Sequence, residues 1–230
     1  MIIIVIFMLL LGAVLIWRFP SFSMCPIETE QVLNTEITEI YAIKSYGNIY
    51  LVKTDIGYIM IDAGLDISKT KISLKDLGIN TSDVKFIFLT HSDGDHTAAL
   101  PLFSNATIYM SKDELPLING TVKRTILGGN RMPSSINIAD IILLSNEQEL
   151  IFNRIKIKCI AAPGHTTGSM MYLVNNQYLF TGDVFKIKSG NMDVHPYSMN
   201  VVQSKKTIEQ IKETVSNSKI VLTSHYGILE

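Results

Sequence analysis

The sequence has few cysteines and almost no net charge. Its 230 residues include two cysteines, Cys25 and Cys159, and carry a formal net charge of -1. Two isolated cysteines without a CxxC pair argue against a disulfide framework, a dithiol redox site and a thiolate metal cluster. A nearly neutral chain also lacks the basic surface that binds polyanions, so we expect no nucleic-acid partner.

Two common catalytic strings are absent as well. The chain contains no G-x-S-x-G string and no G-x-x-x-x-G-K-S/T string. The sequence therefore gives no sign of a serine nucleophile on a strand-to-helix elbow or of a phosphate-binding loop.

Charged side chains are missing from the stretch between Met1 and Trp17. As a helix this stretch would span about 26 Å, a little less than the roughly 30 Å of a bilayer's hydrocarbon core. It has no basic n-region and no small-residue cleavage site, so we interpret residues 1–19 as an uncleaved membrane anchor. A signal peptide and a buried helix are the alternatives. Arg18, on the carboxyl side, favours a membrane protein with a cytoplasmic catalytic domain.

The rest of the chain divides into a short linker and one folded domain. Residues 20–36 mix Ser, Pro, Thr and Glu without a clear period and are interpreted as the linker, which leaves residues 37–230 for the domain. Apolar residues at helical spacing predict helices over 67–77 and 201–215 and an amphipathic segment over 95–103. Short apolar runs bounded by turn residues predict strands at 48–52, 58–61, 85–90, 107–110, 155–161, 170–174, 178–180 and 220–223.

One string concentrates metal-binding side chains directly after a predicted strand. Between Thr90 and Thr97 the chain places two imidazoles and two carboxylates within six residues: His91, Asp93, Asp95 and His96. All four are ligand types for divalent metals. Asp, Ser and Gly also form turns, so a solvated loop is the alternative. The position at the carboxyl end of a strand, where sheet folds place their sites, favours a metal site.

Histidines and aspartates recur at the ends of other predicted strands, as Asp62, His165, Asp183 and His225. Four of the five histidines lie in short segments that follow an apolar run and contain Gly or Thr. A histidine packed in a core would not predict this repetition, which strengthens the metal hypothesis. The fifth, His195, follows no predicted strand and is interpreted as a candidate substrate contact at the pocket mouth.

The region from Leu115 to Ser135 shows no strong period. Its three basic residues, Lys123, Arg124 and Arg131, are interpreted as a solvated surface set.

Taken in order, these motifs resemble the metallo-β-lactamase superfamily, whose pattern is an Asp, an H-x-H-x-D-H string, a His, an Asp and a His. The resemblance covers about Ile37 to Glu230. It implies an α/β fold, a four-layer αββα sandwich with two mixed sheets face to face, helices outside and metals at one edge. Here that sandwich would be preceded by the N-terminal hydrophobic helix.

The resemblance also implies roles for the site residues. It places one metal with His91, Asp93 and His165, and a second with Asp95, His96 and His225. Asp183 matches the carboxylate that bridges the metals in the glyoxalase II-like branch, and Asp62 matches a supporting residue that hydrogen-bonds to the ligands. Asp95 and Asp183 are the predicted catalytic residues because they would orient the attacking hydroxide.

The sequence departs from the commonest family string at Asp93, where that string has a second histidine. The resulting H-x-D-x-D-H form resembles the metallo-β-lactamase-like domain of competence-type membrane proteins. The extra carboxylate adds a negative charge, so we expect a harder, less electrophilic site in which manganese or iron competes better with zinc.

The resemblance implies a metal-dependent hydrolase that uses a hydroxide bound to two metals on a small ester, thioester or lactone. The expected cofactors are two divalent ions, zinc first, with manganese or iron as alternatives. Alternative functions are β-lactam or phosphodiester hydrolysis, an iron-dependent oxidoreductase such as a persulfide dioxygenase, and a membrane-tethered binding protein with a degenerate site. The sequence leaves the exact substrate and the oligomeric state open.

Overall fold

Two β-sheets packed face to face organise the chain. The structure, a computed structural model, describes residues 27–36, 38–124 and 132–229. The predicted anchor, residues 1–19, lies outside the described residues and stays a prediction, and Cys25 and Arg131 lie outside them too. Within the described part, no helix combines the length and the apolar character needed to cross a membrane.

The first sheet has seven strands whose spatial order is their order in the chain. They are β1 (Glu30–Asn34), β2 (Glu39–Ile43), β3 (Ile49–Thr54), β4 (Gly57–Ile61), β5 (Val84–Leu89), β6 (Thr107–Ser111) and β7 (Ile142–Leu144). Neighbours are antiparallel from β1 to β4. Neighbours are parallel from β4 to β7, so the carboxyl ends of these strands lie at one edge.

The second sheet has six strands in the spatial order β15-β14-β11-β10-β9-β8. They are β8 (Glu149–Phe152), β9 (Ile155–Ala161), β10 (Met170–Val174), β11 (Tyr178–Gly182), β14 (Ile220–Thr223) and β15 (Ile228–Leu229). The pair β11/β14 is parallel, and the other pairs are antiparallel. Between β11 and β14 the chain forms a separate hairpin of β12 (Phe185–Lys188) and β13 (Asn191–Val194).

Helices cover the outer face of each sheet. The helices are α1 (Ile67–Asp76), α2 (Gly94–Thr97), α3 (Leu115–Ile118) and α4 (Val201–Asn217), with 3-10 turns at Thr81–Asp83, Leu100–Leu102, Lys112–Glu114 and Ile138–Asp140. Leu74 of α1 packs in the apolar cluster on the outside of the first sheet, and Ile208 and Ile211 of α4 pack against the second. The layers run helix, sheet, sheet, helix, which confirms the predicted four-layer αββα sandwich.

Local sequence explains where the two long helices begin. The side chain of Asp66 accepts a hydrogen bond from the Lys69 backbone N–H at the start of α1, and Asn200 does the same for Gln203 at the start of α4. Such caps satisfy backbone donors that have no partner within the helix.

The core between the sheets follows from residue alternation. In β9, Ile155, Ile157 and Cys159 are buried in the core between the sheets, while Lys156 and Lys158 lie toward solvent. Side chains of a strand alternate between its two faces, so this pattern commits one face to the core. Burial raises the pKa of Cys159 to about 12, which keeps its thiol protonated.

Two buried tyrosines join the sheets beside the ends of β5 and β14. The Tyr172 hydroxyl, from the second sheet, donates to the Leu89 carbonyl of the first at 2.6 Å. The Tyr50 hydroxyl, from the first sheet, donates to the Thr223 carbonyl of the second at 2.7 Å. Burial raises the pKa of both tyrosines, so both hydroxyls keep their protons. Each bond ends within two residues of a predicted metal ligand.

Two segments, the predicted linker and the amphipathic segment, have a different secondary structure from the one expected. Strand β1 lies inside the predicted linker, because residues 30–34 pair with β2 at the edge of the first sheet. The amphipathic segment over 95–103 is not one helix. It splits into α2 and the turn Leu100–Leu102, because Pro101 has no N–H to continue a helix.

We expect Tyr172→Phe to lower the free energy of unfolding by about 1 to 2 kcal/mol, because the buried Leu89 carbonyl loses its donor. Urea denaturation measures the change. Tyr46→Phe is the matched control: Tyr46 is 50 % exposed, and its loss of a hydroxyl should change stability by less than about 0.5 kcal/mol. Equal effects of the two substitutions would contradict a role for the bond between the sheets.

Candidate metal centre

Strand direction brings the predicted site residues to one edge of the sandwich. In the first sheet, Asp62 and His91 follow the parallel strands β4 and β5. In the second sheet β9 and β11 share a direction, and β14 runs parallel to β11. His165, Asp183 and His225 therefore follow strands that end at the same edge. The Met170 N–H donates to the Thr90 carbonyl at 2.9 Å and joins the two edges there.

The first ligand group consists of His91, Asp93 and His165. Asp93 Oδ2 lies 3.5 Å from His91 Nε2 and 3.3 Å from His165 Nε2. Both histidines are at most 2 % exposed. Burial alone would raise the pKa of Asp93, but His165, His91 and the Arg124 guanidinium hold it well below its usual range. The carboxylate is therefore ionised and available to a cation.

The second ligand group consists of Asp95, His96, Asp183 and His225. His225 Nε2 lies 3.4 Å from Asp95 Oδ2 and 3.3 Å from Asp183 Oδ1. His96 Nε2 lies 3.6 Å from one oxygen of each of the same carboxylates. Burial would raise the pKa of Asp95, but His96 and His225 lower it to about 2.

Asp183 faces both groups with different oxygens. Its Oδ1 is directed to His96 and His225, whereas its Oδ2 lies 3.5 Å from His165 Nε2 and 4.0 Å from His91 Nε2. Burial opposes ionisation, but the surrounding histidines hold the pKa of Asp183 well below its usual range. This is the placement that a bridging carboxylate requires.

The residues present fit divalent cations. Among the described residues, His91 Nε2, His96 Nε2 and Asp183 Oδ1 are buried and have no hydrogen-bond partner. Buried polar atoms are nearly always paired, so two unpaired imidazole nitrogens beside an unpaired carboxylate oxygen are suited to binding a cation. Imidazole nitrogen and carboxylate oxygen together suit zinc, manganese and iron. All seven predicted ligands lie in one of the two groups, and their coordination roles stay predictions.

Asp62 supports the second ligand group through hydrogen bonds to Thr90 and His96. Its Oδ1 accepts from the Thr90 N–H and its Oδ2 from the Thr90 hydroxyl, each at 2.8 Å. Oδ2 is also 2.8 Å from His96 Nδ1, which fixes that nitrogen as the donor and leaves Nε2 to face the site. Asp62 adopts a left-handed φ of 60°, a conformation that Asp tolerates better than most residues. These contacts agree with the supporting role that the resemblance implies.

Glu114 is a site residue that sequence reasoning missed. It is fully buried and accepts four hydrogen bonds from two loops. Ser92 donates its N–H at 2.9 Å and its hydroxyl at 2.7 Å. Thr166 donates its hydroxyl at 2.8 Å and Gly168 its N–H at 3.0 Å. Glu114 thus ties the loop that carries His91 and Asp93 to the loop that carries His165.

Gly168 allows this close approach. A Cβ at this position would lie 2.3 Å from the Glu114 backbone nitrogen, closer than any side chain can be. The sequence carries no signal for this contact, because it joins residues 54 positions apart.

His195 lies deeper than predicted. It is 2 % exposed, and its Nε2 is 3.8 Å from Asp183 Oδ2. It also directly follows a strand, β13, which the sequence did not predict because the hairpin lacks a long apolar run. His195 forms a third candidate ligand set with His165 and Asp183, so all five histidines of the chain converge on one site.

The interpretation of Arg124 as a solvated residue is wrong. Its side chain is 3 % exposed and forms an ion pair with Asp93 at 2.7 Å. Its neighbour Lys123 is exposed, as predicted. Nothing in the local pattern distinguishes the two residues, because the burial of Arg124 depends on a partner 31 positions earlier.

Three tyrosines surround the outer side of the site. The Tyr46 ring lies 5.6 Å from the His225 ring, and the rings of Tyr197 and Tyr226 lie 5.9 and 6.0 Å from that of His195. Burial, followed by the charge of Asp183, raises the pKa of Tyr226, so its hydroxyl remains a neutral donor.

We expect Glu114→Gln to lower the free energy of unfolding by about 2 to 3 kcal/mol, because a donor amide then faces buried donors. Zinc affinity should fall about 10- to 100-fold, since the two ligand loops lose their common partner. Urea denaturation and zinc titration measure the two effects. Asp113→Asn removes the same charge from an exposed neighbour and is the control. A Glu114 variant that behaves like this control would exclude the bracing role.

Known proteins share this sequence and architecture. The family model of the metallo-beta-lactamase superfamily matches residues 43–216. A probable metallo-hydrolase of Methanocaldococcus jannaschii is 28 % identical over 156 residues, which cover 68 % of this chain and 64 % of that protein. A probable polyketide biosynthesis zinc-dependent hydrolase of Bacillus subtilis is 30 % identical over 128 residues, covering 54 % of this chain and 48 % of that protein. The matched chain thus spans less than two thirds of either relative.

Solved structures extend the likeness to the fold. An archaeal metallo-beta-lactamase superfamily protein from Sulfolobus tokodaii matches with a TM-score of 0.60 and 20 % identity, over 83 % of this chain and 81 % of that one. A subclass B3 metallo-beta-lactamase from a soil metagenome library matches with a TM-score of 0.66 and 19 % identity, over 87 % and 80 % of the two chains. The match to the family model over most of the chain, together with this shared architecture, shows that the chain belongs to the metallo-β-lactamase superfamily.

Proposed function

We propose that this protein is a metal-dependent hydrolase that acts on a small ester, thioester or lactone. The observation that carries the proposal is the pair of ligand groups with Asp183 between them, one carboxylate oxygen facing each group. Zinc bound in such a group would lower the pKa of a water molecule to about 7 and would polarise a carbonyl oxygen, which is the chemistry that hydrolysis needs.

The chain's own residues would position the attacking water and its proton. Asp95 is ionised, and its side chain is 21 % exposed, so it can accept a hydrogen bond from a water that enters from solvent. Asp183 is buried and ionised between the groups and can hold the same water from the opposite side. Asp62 and Glu114 keep the histidines oriented and do not themselves reach the reacting atoms.

The surroundings of the site favour a small carbonyl substrate. Three tyrosine rings lie next to the histidines on the outer side, and aromatic rings bind acyl or cyclic groups through apolar contact. A polyanionic phosphodiester would need basic residues beside the site. Arg124, the guanidinium in contact with the first group, is already paired with Asp93.

Zinc is the metal we propose first. The Bacillus subtilis relative is named as zinc-dependent, and the mixed imidazole and carboxylate donors suit zinc. Manganese and iron accept the same donors and remain the alternatives. β-Lactam hydrolysis and iron-dependent oxidation are the alternative activities that the same ligand groups would permit.

We expect the full chain, purified without chelator, to retain zinc and to hydrolyse thioesters or lactones. Removing the metal should abolish hydrolysis and lower the unfolding temperature, because a metal that binds only the native state stabilises it. Asp183→Asn should lower kcat/KM at least about 100-fold, since it removes the carboxylate shared by both groups. Asp140→Asn, at an exposed position, is the control.

Elemental analysis measures the bound metal. Activity is measured on a panel of thioesters, lactones, β-lactams and phosphodiesters. Cleavage confined to β-lactams or phosphodiesters would show that the proposed substrate class is wrong. Bound iron together with oxygen consumption would show that the reaction is an oxidation and not a hydrolysis. A chain that binds no metal after reconstitution would contradict the proposal of a metal-dependent enzyme.

A further inference from the structure

Two nitrogens of the Arg124 guanidinium donate hydrogen bonds to the Asp93 carboxylate. Nε lies 2.9 Å from Asp93 Oδ1, and Nη2 lies 2.7 Å from Asp93 Oδ2. A two-point contact between guanidinium and carboxylate is strong and directional. Because the Arg124 side chain is 3 % exposed, water weakens this contact little.

The same guanidinium contacts a second residue of the first ligand group. Arg124 Nη2 lies 3.1 Å from His165 Nε2. A neutral imidazole has one nitrogen that can accept a hydrogen bond, and that nitrogen offers one lone pair. If Nη2 donates to this lone pair, a metal cannot take it at the same time. The two cations therefore compete at His165.

Asp93 does not impose the same choice. A carboxylate has about four lone-pair sites, so Asp93 can hold Arg124 and a metal together. The conflict is confined to His165 and to the repulsion between two neighbouring positive charges. Withdrawal of Nη2 from His165 would be enough to free the first group.

The second group lies outside this competition. Within the described ranges, every ion pair made by Asp95 and Asp183 is with a histidine and none is with an arginine or lysine. Among the described residues, a metal at the second group therefore meets no arginine or lysine side chain that is paired with its carboxylates.

Arg124 also changes the charge balance that the sequence suggested. The expectation of a harder, less electrophilic site counted Asp93 as one uncompensated negative charge. The guanidinium beside it adds one positive charge, so Asp93 and Arg124 together carry the same net charge as a neutral histidine. The reason for a shift toward manganese or iron is thereby removed.

We infer that the Arg124 guanidinium competes with a metal ion for His165 in the first ligand group. The two ligand groups should therefore bind metal with unequal affinity. The inference rests on the proposed metal centre and adds an order of binding to it. The second group takes the first equivalent tightly, and the first group takes a second equivalent only when Arg124 withdraws from His165.

Zinc titration of the metal-free full chain against a chromophoric chelator tests this order. We expect one tight equivalent and a second that binds at least about 10-fold more weakly. Arg124→Gln should tighten the second equivalent about 10- to 100-fold and leave the first unchanged. Lys123→Gln removes a charge from the exposed neighbour of Arg124 and should change neither. Cobalt absorption spectra identify which equivalent changes, independently of any activity.

Arg124→Lys keeps a positive charge and should keep the second equivalent weak, which guards against a glutamine variant that folds poorly. Two equivalents of equal affinity in the unaltered chain would overturn the inference. So would an Arg124→Gln variant whose second equivalent is unchanged or weaker, because Arg124 would then only support Asp93. A chain that binds no zinc at all would overturn the proposed function together with the inference, whereas one tight equivalent with an insensitive second would overturn the inference alone.

Discussion

The burial of negative charge is the constraint on which this structure depends. Asp62, Glu114 and Asp183 are at most 5 % exposed, in a sandwich whose apolar interior cannot solvate a carboxylate. Asp62 and Glu114 are surrounded by hydrogen-bond donors from the chain. Asp183 is different: among the described residues its Oδ1 has histidines near it but no hydrogen bond. The distribution of donors thus separates the two carboxylates that brace the fold from Asp183, the carboxylate that the proposed metal centre would use.

The two bracing carboxylates act on different parts of the site. Asp62 works within the first sheet, where it fixes the end of β5 and the orientation of His96. Glu114 works between the sheets, because it joins the loop after β5 to the loop after β9. The tyrosine hydroxyls of Tyr50 and Tyr172 add direct bonds between the sheets at the strand ends. The orientation of His96 and the positions of the loops that carry His91 and His165 are therefore held by contacts that do not involve a metal.

The sequence predicted those features that have a local signal. Histidines and aspartates after apolar runs identified seven ligand candidates, and the resemblance built on them predicted the four-layer fold. Glu114 and Arg124 could not be found this way, because their partners lie 22 to 54 and 31 to 41 positions away and neither follows a recognisable pattern. His195 was misplaced because the hairpin before it is short. Strand β1 was missed because an edge strand needs no continuous apolar run, and its burial pattern is mostly exposed.

Each ligand group draws side chains from both sheets, and this has a consequence for how the chain folds. His91 and Asp93 meet His165, and Asp95 and His96 meet Asp183 and His225, only after segments about 70 to 130 residues apart have docked. Closing loops of this length is a late and slow event in folding. Neither half of the chain can assemble a complete group alone, so a metal ion cannot serve as a nucleus for folding. A metal ion bound in either ligand group would therefore connect parts of the sandwich that have already docked, and its main expected kinetic effect is to slow unfolding.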